Sequence, residues 1–445
     1  MRELARVAYP LILSTASHTI MQFTNRVFLA HYSPDALAAC VPAGILAFSF
    51  LCFFMGTATY TNAFVSQYYG KGKTASVSVA VWQGVWLALI SGVILLFLTP
   101  AGLYIIDHSG HAAAVRVLER PYFTILTLFA GFPVLNTALA AFFIGRGKTK
   151  VPMAVNIAGN ALCVLLSWLL IFGTGPAPEL GIRGAAFAAA AGQMLMTAIY
   201  LRLIFSPYNR RRYRTYRLVG VHKAMLFRLV KFGVPNGVGF LLDVASFGAF
   251  IFIIGGMDKI SLAASNIIAS INMIAFMPVI GLGLAALTLV GKYIGMKKQE
   301  LAVRVTYNAA KLAGAYALAL GLLFVSVPGL FINIFGSGNS GEYAEILART
   351  RPLMKVLAIF VFFDALGIIF SDALRGAGDT RFQMLGTSLV AWLLFVPGVW
   401  YISRCAGGEL IHVWSWGGFY VFLLSIFFTL RFRSGLWRRI DILKD

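Results

Sequence analysis

Twelve apolar runs, each about 20 residues or longer, constrain this chain more than any other feature, because that length of apolar helix crosses a hydrocarbon core. The runs lie near 6–31, 38–68, 78–104, 121–144, 151–173, 182–205, 226–254, 262–292, 304–334, 352–375, 382–403 and 409–431. Only 12% of the 445 residues are charged and 59% are hydrophobic, against about 25% charged in a soluble domain. The expected fold class is therefore all-α and integral to the membrane, with twelve transmembrane helices. In lipid the backbone polar groups must be satisfied within each span, which helices do. Cys40, Cys52, Cys163 and Cys405 have no metal-type spacing and read as inert thiols.

The net charge of +21 invites a nucleic-acid reading, but the basic residues sit in the short gaps between apolar runs. The gaps at 69–78, 145–150, 206–223, 292–304 and 375–381 and the tail after Arg431 are basic. The alternating gaps are poorer in basic residues or carry acids such as Asp35, Asp107, Glu119, Asp258, Glu342 and Glu345. Such alternation places both termini and the basic gaps on the cytoplasmic side. The cluster Arg210, Arg211, Arg212, Arg214 and Arg217 then reads as a topology signal rather than a nucleic-acid site. A bacterial inner (cytoplasmic) membrane is the expected location, with the lipid bilayer and no nucleic acid as partner, and a monomer is expected.

The same basic linker divides six runs from six, and the halves resemble each other. A shift of 225 positions brings Pro10 onto Pro235, Leu37-Ala38-Ala39 onto Leu262-Ala263-Ala264, Gly56 onto Gly281, Gly70 onto Gly295 and Lys73 onto Lys298. A shift of 231 brings Gly147-Lys148-Thr149-Lys150 onto Gly378-Asp379-Thr380-Arg381. The expected organisation is an N-lobe over 1–205, a cytoplasmic linker over 206–225 and a C-lobe over 226–445, two pseudo-symmetric lobes of six helices each. Parallel repeats of this kind are used for alternating access.

Two acids lie deep in apolar sequence. Asp243 stands twelve residues before Gly255, and Asp364 twelve residues after Pro352. At about 1.5 Å per residue both sit roughly 18 Å below the outer surface. A carboxylate at that depth costs roughly 2.5–3.5 kcal/mol on insertion scales, so it marks function by default. Na⁺, a hard cation, wants several oxygen ligands. Asn236, Ser246, Asn266, Ser270 and Asn272 carry side-chain oxygens on the same or neighbouring runs. Asp243 and Asp364 are thus candidate cation-coupling residues, as Na⁺ ligands or as proton carriers. Asp372 has Arg375 one turn on, and an i,i+3 pair accounts for it.

The segment DALRGAGDTRF at 372–382, LAAS at 262–265, the pairing of PNGVGFLLDV with FFDALGIIFSDALRG, and LGIRGAAFA from Leu180 resemble the multidrug and toxic compound extrusion (MATE) family. The resemblance covers nearly the whole chain. It implies a secondary antiporter that exports amphipathic, often cationic compounds in exchange for Na⁺ or H⁺, with no other cofactor. In its C-lobe acids the chain is similar to the NorM-type branch, where the positions of Asp243 and Asp364 are associated with cation coupling. The first half departs from the family. Asn25 stands where a first-helix Asp is usual, and Cys163 and Ser167 where the fifth helix usually carries Asn and Asp. Coupling through the C-lobe is therefore expected.

His18 aligns with Asp243 under the 225 shift and titrates near neutrality. It is read first as a neutral hydrogen-bonding residue and second as a proton carrier. Phe23, Asn25, Phe54, Tyr60 and Phe276 are candidate cavity residues, the aromatic ones for holding flat organic cations at roughly 0.5–2 kcal/mol per contact. The alternative function within the same superfamily is a flippase for a lipid-linked precursor, which calls for a basic cavity. No DDxxD, HExxH, GxSxG or nucleotide-binding loop occurs, so neither a membrane enzyme nor an ATP-driven pump is expected, and no catalytic residue is assigned.

Overall fold

The computed structural model describes residues 1–175, 177–216, 220–335 and 341–444. Arg217, counted above in the basic linker, and the side chain of Glu342 lie outside the described residues. In chain order the helices are α1 (Arg2–Tyr32), α2 (Pro34–Thr59), α3 (Thr61–Gly70), α4 (Thr74–Asp107), α5 (Ala113–Leu128), α6 (Gly131–Ile144), α7 (Lys150–Phe172), α8 (Ile182–Ile204) and the short α9 (Pro207–Tyr213). They continue with α10 (Lys223–Gly255), α11 (Lys259–Gly295), α12 (Gln299–Ser326), α13 (Pro328–Ile332), α14 (Gly341–Ala377), α15 (Thr380–Leu389), α16 (Val396–Arg404) and α17 (Leu410–Arg433). A π-helical segment, Val390–Phe395, joins α15 to α16.

Local chemistry explains the breaks. Ser33 is extended (φ −163°, ψ 135°), as a residue before proline prefers, and Pro34 opens α2 where its missing N–H is not needed. One span is divided between α5 and α6. Pro133 cannot donate to the turn before it and crowds the carbonyl of Phe129, the residue that caps the end of α5. Eleven helices or joined helix pairs are long and apolar enough to cross a membrane. The twelfth span is α1, at 31 residues long enough but diluted by polar residues from Ser14 to Arg26. Those polar residues belong to the candidate site described below.

The repeat holds at the level of backbone dihedrals. Gly72 and Lys297, 225 positions apart, both adopt the left-handed conformation, at φ 76° and 59°. Gly147 and Gly378, 231 apart, do so at φ 73° and 108°, and each is followed by a helix, α7 or α15. Positive φ is cheap for glycine and uncommon for other residues. Lys297 therefore keeps the turn geometry of the repeat without the residue that suits it.

The chain packs as two compact units. The first comprises 1–8, 239–290 and 298–441, and the second 9–238, 291–297 and 442–445. In the first unit α14 packs along α17 and α12. In the second, α7 lies along α8, α4 along α6 and α2 along α5. Also within the second unit, the ends of α3 and α11 meet backbone to backbone. A Cβ added at Gly70 would overlap the Lys292 carbonyl, and one at Gly295 the Gln67 carbonyl.

Candidate functional site

Three helices of the first unit bring the two deep aspartates together. Asp243 lies on α10 and Asp364 on α14, and their carboxylates act on each other electrostatically. α17 runs beside both. The Phe363 and Phe422 rings are 4.8 Å apart, and a Cβ added at Gly367 would lie 3.5 Å from Ser425 Cα, which fixes α17 against α14 on either side of Asp364. The Phe250 and Trp414 rings, 5.0 Å apart, fix α17 against α10 two turns beyond Asp243. Tyr420 falls level with both acids and interacts with both.

This registration replaces the depth estimate for Asp364. α14 begins at Gly341, eleven residues before Pro352, so Pro352 lies inside the helix and does not mark its outer end. Neighbouring helices, not the count from Pro352, place Asp364 beside Asp243.

Among the described residues neither carboxylate has an ion-pair partner. The cation that acts on Asp243 is Arg375, which is held in an i,i+3 ion pair by the buried Asp372. A second buried pair, Asp379 with Arg431 at 2.7 Å, secures the start of α15, and Arg431 also lies over the Phe382 ring at 4.4 Å. Arg375 and Arg431 are thus each held by a partner of their own. Asp243 is exposed at the protein surface and Asp364 half-buried.

The expected supporting oxygens are distributed unevenly. Ser246 is buried one turn from Asp243 and donates to the Asp243 carbonyl at 2.8 Å. Ser270 donates to the Asn266 carbonyl at 2.7 Å, Asn266 is exposed, and the Asn272 Oδ1 is buried without a hydrogen-bond partner. Asn236 belongs to the second unit, where its amide donates to the Gly56 carbonyl at 2.6 Å and ties α10 to α2.

Apart from Phe276, which belongs to the first unit, the remaining candidates lie in the second unit, where His18 and Asn25 border a neutral polar seam. Asn25 donates weakly to Met21 Sδ at 3.4 Å and Cys163 Sγ at 3.5 Å. Two positions that depart from the resemblance therefore meet, with no carboxylate on either. His18 is exposed and lies 3.2 Å from the Gln22 amide. Nearby, Asn156 donates to Ser14 Oγ at 2.6 Å and Asn160 to Ser17 Oγ at 2.9 Å. Tyr60 is fully buried, stacked against Phe232 at 6.2 Å and edge-on to Phe64 at 5.7 Å, so it packs the core rather than lining a cavity. Phe23 is 68% exposed, and Phe54 and Phe276 are half-buried.

Sequence reasoning missed Tyr420 and the Asn156–Asn160 seam. The seam had a signal, since Asn156 and Asn160 share a helix face at i,i+4 opposite Ser14 and Ser17. Tyr420 had none, because an aromatic residue in a span reads as packing or interface until its neighbours are known.

Comparisons with known proteins bear on the family and the fold. The profile of the MatE family matches residues 10–169 and 235–400, and the two matches begin 225 and end 231 residues apart, the offsets of the internal repeat. A probable multidrug resistance protein NorM of Pseudomonas syringae is 27% identical over 93% of this chain and 90% of its own length. Another, from Thermotoga maritima, is 26% identical over 99% and 94%. The multidrug resistance protein PmpM of Pseudomonas aeruginosa is 26% identical over 89% and 83%. The fold is similar to an outward-facing multidrug resistance MATE family transporter of the MOP superfamily, with TM-score 0.90 and 17% identity over 98% of this chain and 96% of that one. It is also similar to a MOP superfamily transporter from Pyrococcus furiosus, with TM-score 0.88 and 18% identity over 98% and 96%. With both halves matched by one family profile and the twelve-helix fold shared, this multi-pass membrane protein belongs to the MatE family, the multidrug and toxic compound extrusion transporters.

Proposed function

We propose that the protein is a secondary antiporter that exports amphipathic, mostly cationic compounds in exchange for Na⁺ or H⁺, with coupling at Asp243 and Asp364. The observation that carries this reading is a pair of deep carboxylates on two spanning helices that both pack against α17, with no ion-pair partner among the described residues. Two such groups in a low-dielectric region favour uptake of a positive charge, and a cation or a proton supplies it. Uptake from the outside and release to the inside, alternating with the opposite movement of cargo, makes the exchange obligatory. The multidrug resistance names of the relatives support the cargo class. The loop charges support a cytoplasmic membrane location with both termini inside.

The test is efflux of a fluorescent organic cation from proteoliposomes, with Na⁺ and H⁺ gradients imposed separately. Asp243→Asn and Asp364→Asn are expected to abolish gradient-driven export while the protein stays in the membrane at wild-type levels. Normal coupled export by both variants overturns the reading.

A further inference from the structure

The short helix α9 turns part of the arginine run into a built surface. Ser206 is extended (φ −58°, ψ 150°) and Pro207 opens the helix where its missing N–H is not needed, so the chain bends at the end of α8. Side chains pin that bend. Asn209 donates to the Leu203 carbonyl at 2.8 Å and Thr215 to the Ile204 carbonyl at 2.9 Å, which satisfies two carbonyls of the last turn of α8. Asn209 and Tyr213, one turn apart, form the buried face of α9 and both contact Arg146. Tyr208, Arg211 and Arg212 are left exposed on the other side. With Pro207 they line an open groove of about 390 Å³, and the Lys148 ammonium lies over the Tyr208 ring at 5.1 Å.

Arg146, Lys148, Arg211 and Arg212 thus gather four positive charges around one short helix. Among the described residues no carboxylate pairs with any of them. A topology signal needs basic residues in the gap, but neither a groove nor a fixed spacing between them. Here the spacing is fixed from below by the Arg146 contacts, and the concave face is closed by a tyrosine. Guanidinium forks match phosphate oxygens, an ammonium adds a point charge, and tyrosine suits the headgroup level of a bilayer. The groove stands where a spanning helix, α8, ends, so the phosphates nearest to it are those of lipid headgroups. Three exposed cations are too few to hold a polynucleotide, which binds through many phosphate contacts. We propose that the α9 groove binds the phosphate of an anionic phospholipid, held by Arg211, Arg212 and Lys148 with Tyr208 against the headgroup. The site does not depend on coupling at the aspartates and stands whichever ion drives export.

The test is native mass spectrometry of the full-length protein in detergent, titrated with phosphatidylglycerol, with phosphatidylcholine or with inorganic phosphate. Wild type is expected to retain phosphatidylglycerol well above phosphatidylcholine. Neutralising Arg211→Gln and Arg212→Gln together is expected to weaken phosphatidylglycerol binding about 25-fold, about fivefold for each cation. Lys297→Gln with Lys298→Gln removes the same charge from exposed positions in another basic gap and is expected to leave the binding unchanged. Tyr208→Ala removes the wall of the groove and no charge, and is expected to weaken binding severalfold, which bulk surface charge does not produce. Equal retention of the two lipids by the wild type overturns the proposal. So does an equal loss in the lysine and arginine variants, which would mark attraction by net charge alone. Displacement of phosphatidylglycerol by millimolar inorganic phosphate would make the ligand a soluble anion and overturns the lipid assignment.

Discussion

Arg146 provides a quantitative test of how the N-lobe binds its turn between α6 and α7. The residue is 6% exposed, and no carboxylate pairs with it among the described residues. Burial draws its pKa below the ordinary arginine value, opposed by a hydrogen bond and favourable electrostatics with Tyr213. Its charge is carried instead by π-faces and neutral oxygens. The guanidinium lies 3.7 Å from the Phe142 ring centroid and 4.5 Å from that of Tyr213, donates from Nε to the Phe142 carbonyl at 2.6 Å, and donates from Nη1 to Asn209 Oδ1 at 3.2 Å. A lysine ammonium can keep one of those oxygens but not both, and cannot stack as a plane. One charge-assisted hydrogen bond contributes about 1.5–3 kcal/mol and the lost stacking about 1 kcal/mol, giving a loss of about 3 kcal/mol for Arg146→Lys. At roughly 2 °C per kcal/mol the melting temperature in detergent should fall by about 6 °C. Arg146→Met deletes the buried charge together with its desolvation cost and should lose less than the lysine variant. Fluorescence-detected size-exclusion after heating reads both. A lysine variant that melts within about 1 °C of wild type would refute the assignment of the stability to planar stacking and paired oxygens.

Two further outcomes follow from particular contacts. Gly70→Ala and Gly295→Ala each drive a methyl into a backbone carbonyl and should destabilise by about 1–3 kcal/mol, whereas Gly44→Ala, with nothing within 4 Å of its added Cβ, should not; equal melting temperatures for all three would contradict the close approach of α3 and α11. At Asp258, in the turn between α10 and α11, burial raises the carboxyl pKa. The Ser261 hydroxyl and N–H, at 2.7 and 2.8 Å, and the Arg349 guanidinium outweigh that and hold it below the ordinary carboxylate value. A depressed folded-state pKa means that the contribution is complete above the unfolded value of about 4 and disappears as pH falls through the folded value. The pair is 38% and 42% exposed, so the contribution is below about 1 kcal/mol. Asp258→Asn should remove a small acid-dependent loss of thermal stability below about pH 4, and an unchanged melting profile in that range would count against the pairing.

Much of the architecture was legible because lipid imposes it. Apolar runs of spanning length, alternating loop charge and a twofold internal repeat follow from the cost of unpaired backbone and charge in hydrocarbon, and each can be read residue by residue. Asp243 and Asp364 stood out for the same reason, as did the Asp372–Arg375 pair at i,i+3. The departure from the family's usual residues at positions 25, 163 and 167, acids at two of them, was equally readable, and it put the expected coupling site in the other lobe.

Lateral order between helices was not legible, because a span that is apolar nearly all round gives no periodic signal of which face meets which neighbour. The sequence determined that two carboxylates lie deep in apolar spans; the tertiary structure decided that they act on each other. It did so through ring contacts such as Phe363–Phe422 and Phe250–Trp414, which hold α17 against both acid-bearing helices. It also moved Tyr60 from candidate cavity wall to core and drew Asn236 to the Gly56 carbonyl. Those placements depend on side chains far apart in the sequence meeting at one depth, and only close packing of the folded chain fixes that depth.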